Sequence, residues 1–351
     1  MLDPQKENLD LQEAINALLE RRNLSQAEAE QVMQHLMRGE ASPVQTAALL
    51  IALRMKGETV EEITGFASVM RSMATQVSTS RSPLVDTCGT GGDSSGTFNI
   101  STTSAFVVAG ADVAVAKHGN RSASSQCGSA DVLEELGVNI EVSSEFVGRC
   151  IDEIGIGFLY ARSLHGAMKH VAGTRAELKV RTVFNLLGPL TNPAGATGQV
   201  IGVFDATRVP DLARVLFNLG VRRSFVVAGS DGLDEFTLSG ANIVAEAKDS
   251  VINRFELTPE DVGLERAPTS TLLGGDAKTN AAILRAVLEG ETGPRRDVVL
   301  FNAAAAILVG EAADDWKEGI EVARKSIDSG AALGKLDALI AMTTRPEARP
   351  S

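Results

Sequence analysis

Four glycines crowd into residues 89–96, at Gly89, Gly91, Gly92 and Gly96. An apolar run ends just before them at Asp86, and a helix-like apolar stretch begins just after Asn99. The pattern is a strand, a tight turn and a helix start in direct succession. Without a Cβ, glycine lets the backbone turn sharply and approach a ligand closely. The helix start that follows carries unpaired N–H groups and a partial positive charge. Together they suit a phosphate or diphosphate.

The same texture recurs from residue 80 onward. Short strand-like runs at Leu84–Val85, Val113–Ala116, Val138–Val142, Val200–Phe204, Phe225–Ala228 and Val298–Phe301 alternate with helical stretches and glycine-rich turns. Such alternation predicts a parallel sheet with helices on its faces. Ligands of these sheets sit beyond the carboxyl ends of the strands. Residues 8–75 read differently, as helix throughout. Ser25…Glu28, Ser42…Gln45 (with Pro43 following) and Thr59…Glu62 each place a hydroxyl three residues before Glu or Gln, the pattern of a capping box. The run Ala47–Leu53 is apolar nearly all round, which predicts burial on several sides, a second copy of the chain included.

Residues 162–197 interrupt the alternation with helices around Ala167–Glu177 and Arg181–Leu187. The fold class expected is therefore α/β, a small all-helical domain plus a large α/β domain with a mainly parallel central sheet. The small domain takes residues 1–79 and 162–197, on the dimerisation and acceptor side. The large one takes 80–161 and 198–345, with a cleft between the two. Residues 344–351 read as a frayed tail, with the domain ending at 345 and 346–351 beyond it.

Bulk properties narrow the function. A chain of 351 residues with 44% hydrophobic and 22% charged residues has material for a sizeable core. Its formal net charge of −12 argues against a broad nucleic-acid-binding face. Cys88, Cys127 and Cys150 form no Cys-x-x-Cys pair, so a reducing cytoplasm is expected and a zinc site or disulfide framework is not. The first residues show no apolar signal core, and the longest apolar stretches are too short for a bilayer.

Four constellations carry chemistry. In the first, Asn99, Ser101 and Thr102 stand at the helix start after the glycine loop, as ligands or as plain N-caps. Asp93 inside the loop is odd for a bare phosphate cradle and points to sugar hydroxyls or a hydrated metal nearby. No Lys follows in the nucleotide-hydrolase pattern. The second is Lys117-His118-Gly119-Asn120-Arg121-Ser122, followed by Ser124, Ser125, Gly128 and Ser129 and a helix over Ala130–Leu136. Lys117 can meet phosphate as a point charge; Arg121 can do so too, or brace the loop. His118 reads as structural or chemical. Third is Asp231-Gly232-Leu233-Asp234-Glu235. On a loop, Asp234 and Glu235 can converge and hold Mg²⁺ jointly with substrate phosphates, or they can be exposed acids of a turn. The fourth is a basic segment, His165, Met168, Lys169, His170, Arg175, Arg181, Asn185 and Pro189. It suits a carboxylate, for which an Arg fork is well shaped, or else dimer contacts or a solvated face.

These motifs, in this order, resemble those of the anthranilate phosphoribosyltransferases. The resemblance rests on Gly89-Thr90-Gly91-Gly92-Asp93 with Asn99-Ile100-Ser101-Thr102, Lys117–Arg121, Gly128-Ser129-Ala130-Asp131, Asn185–Pro193 and Asp231–Glu235, and covers nearly the whole chain. It implies transfer of 5-phosphoribosyl from 5-phosphoribosyl 1-diphosphate to the amine of anthranilate in tryptophan biosynthesis, with Mg²⁺, by a homodimer. It implies donor binding by Gly89, Thr90, Gly91, Gly92, Asp93, Thr97, Asn99, Ser101, Thr102, Lys117 and Ser129. It implies anthranilate binding by Gly89, His118, Asn120, His165, Arg175 and Pro189, and metal binding by Ser101, Asp234 and Glu235. Lys117 acts electrostatically, and neither a covalent residue nor a general base is expected. Where the family commonly carries prolines, this chain has Arg162, Gly166 and Gly173, and Thr174 replaces a valine. The rival readings are a pyrimidine nucleoside phosphorylase-like enzyme and a non-catalytic nucleic-acid-binding relative.

Overall fold

The computed structural model describes residues 9–122 and 126–348, so Ser124 and Ser125 lie outside the described residues. Helices α1 (Leu11–Leu19), α2 (Gln26–Arg38), α3 (Pro43–Lys56) and α4 (Val60–Met73) open the chain. There follow β1 (Leu84–Gly89), α5 (Ile100–Gly110), β2 (Ala114–Gly119), α6 (Ser129–Glu135), α7 (Ser144–Ile154), β3 (Ile156–Tyr160) and α8 (Ala161–Leu164). Next come α9 (Lys169–Leu178), α10 (Phe184–Leu187), β4 (Gly198–Gly202), α11 (Val209–Asn218), β5 (Arg223–Gly229), β6 (Asn242–Lys248) and β7 (Val251–Leu257). The last helices are α12 (Ala277–Leu288), α13 (Pro294–Val309), α14 (Trp316–Asp328) and α15 (Ala331–Thr343). Two compact units result. One holds residues up to Thr75 together with His165–Thr191; the other holds Gln76–Leu164 and the chain from Asn192 on.

In the helical unit, the three expected capping boxes form at Ser25, Ser42 and Thr59. A fourth, Asp10 with Glu13, starts α1. Glu62 does more than cap α4. Its carboxylate accepts from Leu24 N–H at 2.9 Å and pairs with Lys56 Nζ at 2.9 Å, and both side chains are buried. A buried pair is stable only when its remaining hydrogen bonds are filled, as these are. Gly65 lets α4 approach α2, because a Cβ there would stand 2.5 Å from Gln26 O. On α3, Val44, Ile51 and Met55 share one face and remain exposed.

The second unit is built on a seven-stranded sheet in the order β3-β2-β1-β4-β5-β6-β7. β1 to β5 run parallel, and β6 and β7 complete the sheet antiparallel. The order reverses between β1 and β4, which is where an open α/β sheet forms a ligand crevice. Val85 and Val115 point into the main core with α5 and α13, while Leu84, Ala114 and Ala116 pack with α7 on the opposite face. Phe225, Phe236, Phe301 and Trp316 close the main core as tilted and edge-on aromatic pairs.

Several expectations are corrected. Val138–Val142 alternates like a strand but pairs with none; the Asn139 N–H donates to Thr343 Oγ1 instead, at 3.2 Å. Val298–Phe301 lies inside α13, a helix buried nearly all round, whose unbroken apolar run mimics a buried strand. β3, β6 and β7 are not among the expected strands. Within the stretch expected to fray, Pro346–Ala348 form a 3-10 turn and Ala348 is buried against the core, while 349–351 lie outside the described residues.

Candidate active site

The ends of β1, β2 and β5 meet on one side of the sheet, and each hands the chain to a loop that carries chemistry. After β1, Gly91, Gly92 and Gly96 take φ of +69°, +84° and +68°, the left-handed region that only glycine enters freely. Asp93 accepts from Ser95 N–H at 3.1 Å and Ser95 Oγ at 2.8 Å, which folds the loop on itself. Thr90 N–H donates to Gly202 O at 2.9 Å, yet the buried Thr90 Oγ1 has no hydrogen-bond partner among the described residues. Thr97 bridges to Leu273, and Phe98 N–H donates to Leu272 O.

Asp234 fits because two glycines make room for it. Gly89 and Gly202 are in-register partners at the ends of β1 and β4. A Cβ on Gly89 would stand 2.4 Å from Asp234 Oδ2, and one on Gly202 would stand 1.6 Å from the Asp234 carbonyl oxygen. In that space Asp234 Oδ2 accepts from Gly91 N–H at 2.6 Å. Glu235 Oε1 accepts from Ser101 N–H at 3.1 Å, capping α5 from another loop. The adjacent acids thus converge, as a loop allows and a strand forbids.

Lys117, at the end of β2, is 4% exposed and donates to the Thr87 carbonyl and to Ser101 Oγ, the latter at 3.4 Å. Behind it Asp86 is fully buried, accepting from His118 N–H at 3.0 Å and Asn192 Nδ2 at 2.8 Å. Burial pushes the Asp86 carboxyl above the usual range, opposed by Lys117 and these hydrogen bonds. Burial likewise lifts Glu235 to about 7 against the pull of Lys117 and Ser101. Asp234 is raised well above the carboxylate range by burial, then by the charges of Asp93 and Glu235.

Asp93, Asp234 and Glu235 therefore set three carboxyls against the single ammonium of Lys117. Desolvated carboxylates in that state favour a cation. Ser101 Oγ, Asp234 and Glu235 are hard oxygen donors suited to a small divalent ion. Among the described residues no three His, Cys, Asp or Glu side chains form a closed metal cage. Mg²⁺ takes few protein ligands and keeps waters and substrate phosphates, so the residues present fit it.

The remaining expected residues fall as follows. Ser129 Oγ accepts from Asn120 N–H at 3.1 Å and donates to Asn120 O, closing the second loop. Arg121 braces that loop through Asp131 at 2.9 Å and Glu134. His118 is buried and Asn120 exposed. Thr102 is buried within α5. His165, Arg175 and Pro189 belong to the helical unit. Burial lowers His165 to about 4, so it is neutral. The Arg175 guanidinium stacks 4.9 Å from the Phe184 ring, and burial holds its pKa below the ordinary value. Pro189 is buried in a 3-10 turn, and Arg71 Nε donates to the next carbonyl, Leu190 O, at 2.6 Å. Asn192, Gly202 and Asn280 were missed. A glycine ending a strand beside a proposed ligand loop was the one signal available for Gly202.

Residues 12–74 match the glycosyl transferase family, helical bundle domain, and residues 81–333 match the glycosyl transferase family, a/b domain. The anthranilate phosphoribosyltransferase of Symbiobacterium thermophilum is 56% identical over 331 residues, covering 94% of this chain and 97% of that protein. The chain belongs to the anthranilate phosphoribosyltransferase family. The crystal structure of the Thermus thermophilus family member superposes with a TM-score of 0.91 at 47% identity, over 95% of this chain and 99% of that one. The family member from Saccharomyces cerevisiae, solved in complex with PRPP and Mg, superposes with a TM-score of 0.87 at 29% identity, over 95% and 98% of the two chains. Within this family fold the three loops of the second unit carry the glycine-rich turn, the lysine and the paired acids described above.

Proposed function

We infer that this chain transfers 5-phosphoribosyl from 5-phosphoribosyl 1-diphosphate to the amine of anthranilate and releases diphosphate. The carrying observation is the meeting of the glycine loop, Lys117 and the Asp234-Glu235 pair beyond the carboxyl ends of β1, β2 and β5, in a chain of this family. Gly89, Thr90, Gly91, Gly92, Asp93, Thr97, Asn99, Ser101, Thr102, Lys117 and Ser129 are assigned to the donor. Gly89, His118, Asn120, His165, Arg175 and Pro189 are assigned to anthranilate. Asp234, Glu235 and Ser101 would hold Mg²⁺, which when bound stabilises negative charge on the leaving diphosphate.

The chain's own groups do the rest. The Lys117 ammonium, held between the Thr87 carbonyl and Ser101 Oγ, would offset charge on the oxygen that gains it as the C1–O bond weakens. The Thr90 hydroxyl supplies a further donor. Arg175 offers a half-buried fork to the anthranilate carboxylate. The aromatic amine is uncharged at neutral pH and needs no strong base; His165, neutral through burial, does not oppose it with charge. Exposed Leu19, Val44, Ile51 and Met55 on α1 and α3 support a homodimer through the helical unit. With three free cysteines, a reducing cytoplasm is the expected setting.

The test is loss of anthranilate fluorescence with donor and Mg²⁺ present and each omitted in turn. Turnover should require both, and thymidine or uridine with phosphate should not react. No loss of fluorescence in the complete mixture refutes the reading.

A further inference from the structure

Asn99 stands at the N-cap of α5, where an asparagine normally accepts from the helix's own N–H groups. It makes no such bond. Its amide is committed elsewhere. Asn280 Nδ2 donates to Asn99 Oδ1 at 2.9 Å, and the Cys127 thiol donates to the same oxygen at 3.5 Å. Asn99 Nδ2 donates to the Cys127 carbonyl at 3.3 Å. Asn280, the fourth residue of α12, is 2% exposed, and its Oδ1 accepts from Gly275 N–H at 2.8 Å.

The direction of this chain of bonds is dictated from one end. A backbone N–H can only donate, so Gly275 holds the oxygen of Asn280 on its side and turns Nδ2 toward Asn99. Asn99 must then answer with Oδ1, which takes two donors and is saturated. Its Nδ2 faces the other way, with one N–H on Cys127 O. Among the described residues no hydrogen bond takes the other. The support is rigid: a Cβ on Gly274 would stand 2.4 Å from Asn280 Oδ1 and 2.8 Å from Phe98 Cα. Gly274 N–H also donates to Gly96 O at 2.9 Å, so the 272–275 segment is pressed between α12 and the glycine loop.

On the basis of the transferase reading, we propose that Asn280 is a positioning residue for the phosphoribosyl donor. Through the directed chain Gly275–Asn280–Asn99 it makes Asn99 present an N–H, not a carbonyl, to an oxygen of the donor. It also ties the first donor loop to the second at Cys127.

The experiment measures binding of 5-phosphoribosyl 1-diphosphate with Mg²⁺ by calorimetry on the full chain, with steady-state kinetics alongside. Asn280→Asp keeps the shape and the acceptor for Gly275 but cannot donate to Asn99; Asn280→Ala removes both bonds. Each should raise the donor Kd and KM at least about 10-fold and leave the anthranilate KM within about twofold. In an Asn99→Ala background, Asn280→Ala should weaken donor binding no further, because its effect passes through Asn99. Asn99→Asp, which keeps the acceptor but loses the N–H, should show the same loss with Asn280 intact. Unchanged donor affinity in the Asn280 variants, effects that multiply with Asn99→Ala, an equal rise in the anthranilate KM, or normal donor binding by Asn99→Asp would each overturn the proposal. Thermal melting separates loss of affinity from loss of fold. If the natural chain binds no donor, the transferase reading falls as well; if it binds and the Asn280 variants bind equally, only this proposal falls.

Discussion

Gly89 and Gly202 end adjacent strands in register, and the volume their missing Cβ atoms leave is where Asp234 sits. Single residues decide this site by what they lack as much as by what they carry. Asp234→Asn with Glu235→Gln keeps the shape and removes two desolvated carboxyls. Mg²⁺-dependent turnover should vanish while the melting temperature holds or rises; an unchanged Mg²⁺ titration would refute the metal role. Arg175 is half-buried, with its guanidinium over the Phe184 ring. A charge-assisted hydrogen bond contributes about 1.5–3 kcal/mol, so Arg175→Ala should raise the anthranilate KM roughly 10- to 100-fold. An unaltered KM would count against that assignment. His165 is held at about 4, below its ordinary 6.5. A depressed folded value means its contribution is present above pH 6.5 and is lost as pH falls toward 4. The most it can contribute is about 3 kcal/mol, from 1.36 kcal/mol per unit. Chemical unfolding of His165→Gln at pH 7 and pH 4.5 should show a shallower loss than the natural chain; identical slopes would exclude His165 as the source.

At the scale of elements, local chemistry was legible wherever a short rule decides the outcome. Ser25, Ser42 and Thr59 announce α2, α3 and α4, because each box fills two orphan N–H groups on its own. Patterns that depend on a distant partner misled. Val138, Ile140 and Val142 alternate as a strand does, but β3 already forms that edge of the sheet, so the segment packs without a ladder. β6 and β7 went unread because Asp249 and Ser250, at φ of 49° and 68°, make the hairpin turn without a glycine. Gly173 lies inside α9, and a Cβ there would meet nothing within 4 Å. Glycine in a helix interior costs up to about 1 kcal/mol relative to alanine. Gly173→Ala should therefore raise the melting temperature by a few degrees, and a fall would show that the helix needs the glycine's freedom.

For the whole molecule, the dimer proposed above would rest on one helix face. Val44 is 79% exposed and Met55 72% exposed, eleven residues apart and so on the same side of α3, with Ile51 between them. Val44→Glu with Met55→Glu should halve the mass seen by analytical ultracentrifugation while leaving the melting of the isolated subunit intact; a natural chain that is already monomeric would exclude the dimer. From the residues alone came the division into helical and α/β parts, the glycine loop as a tight turn between strand and helix, and the convergence of Asp234 with Glu235. Each follows from neighbours in the chain, where backbone freedom, helix ends and loop geometry act over a few residues. Only the folded chain decided that β1 and β4 flank the reversal of strand order, that Gly202 makes room for Asp234, and that Asn280 orients Asn99 from 181 positions away. Those facts depend on which strands pair and which backbones touch, and close approach between remote segments leaves no periodic trace along the chain.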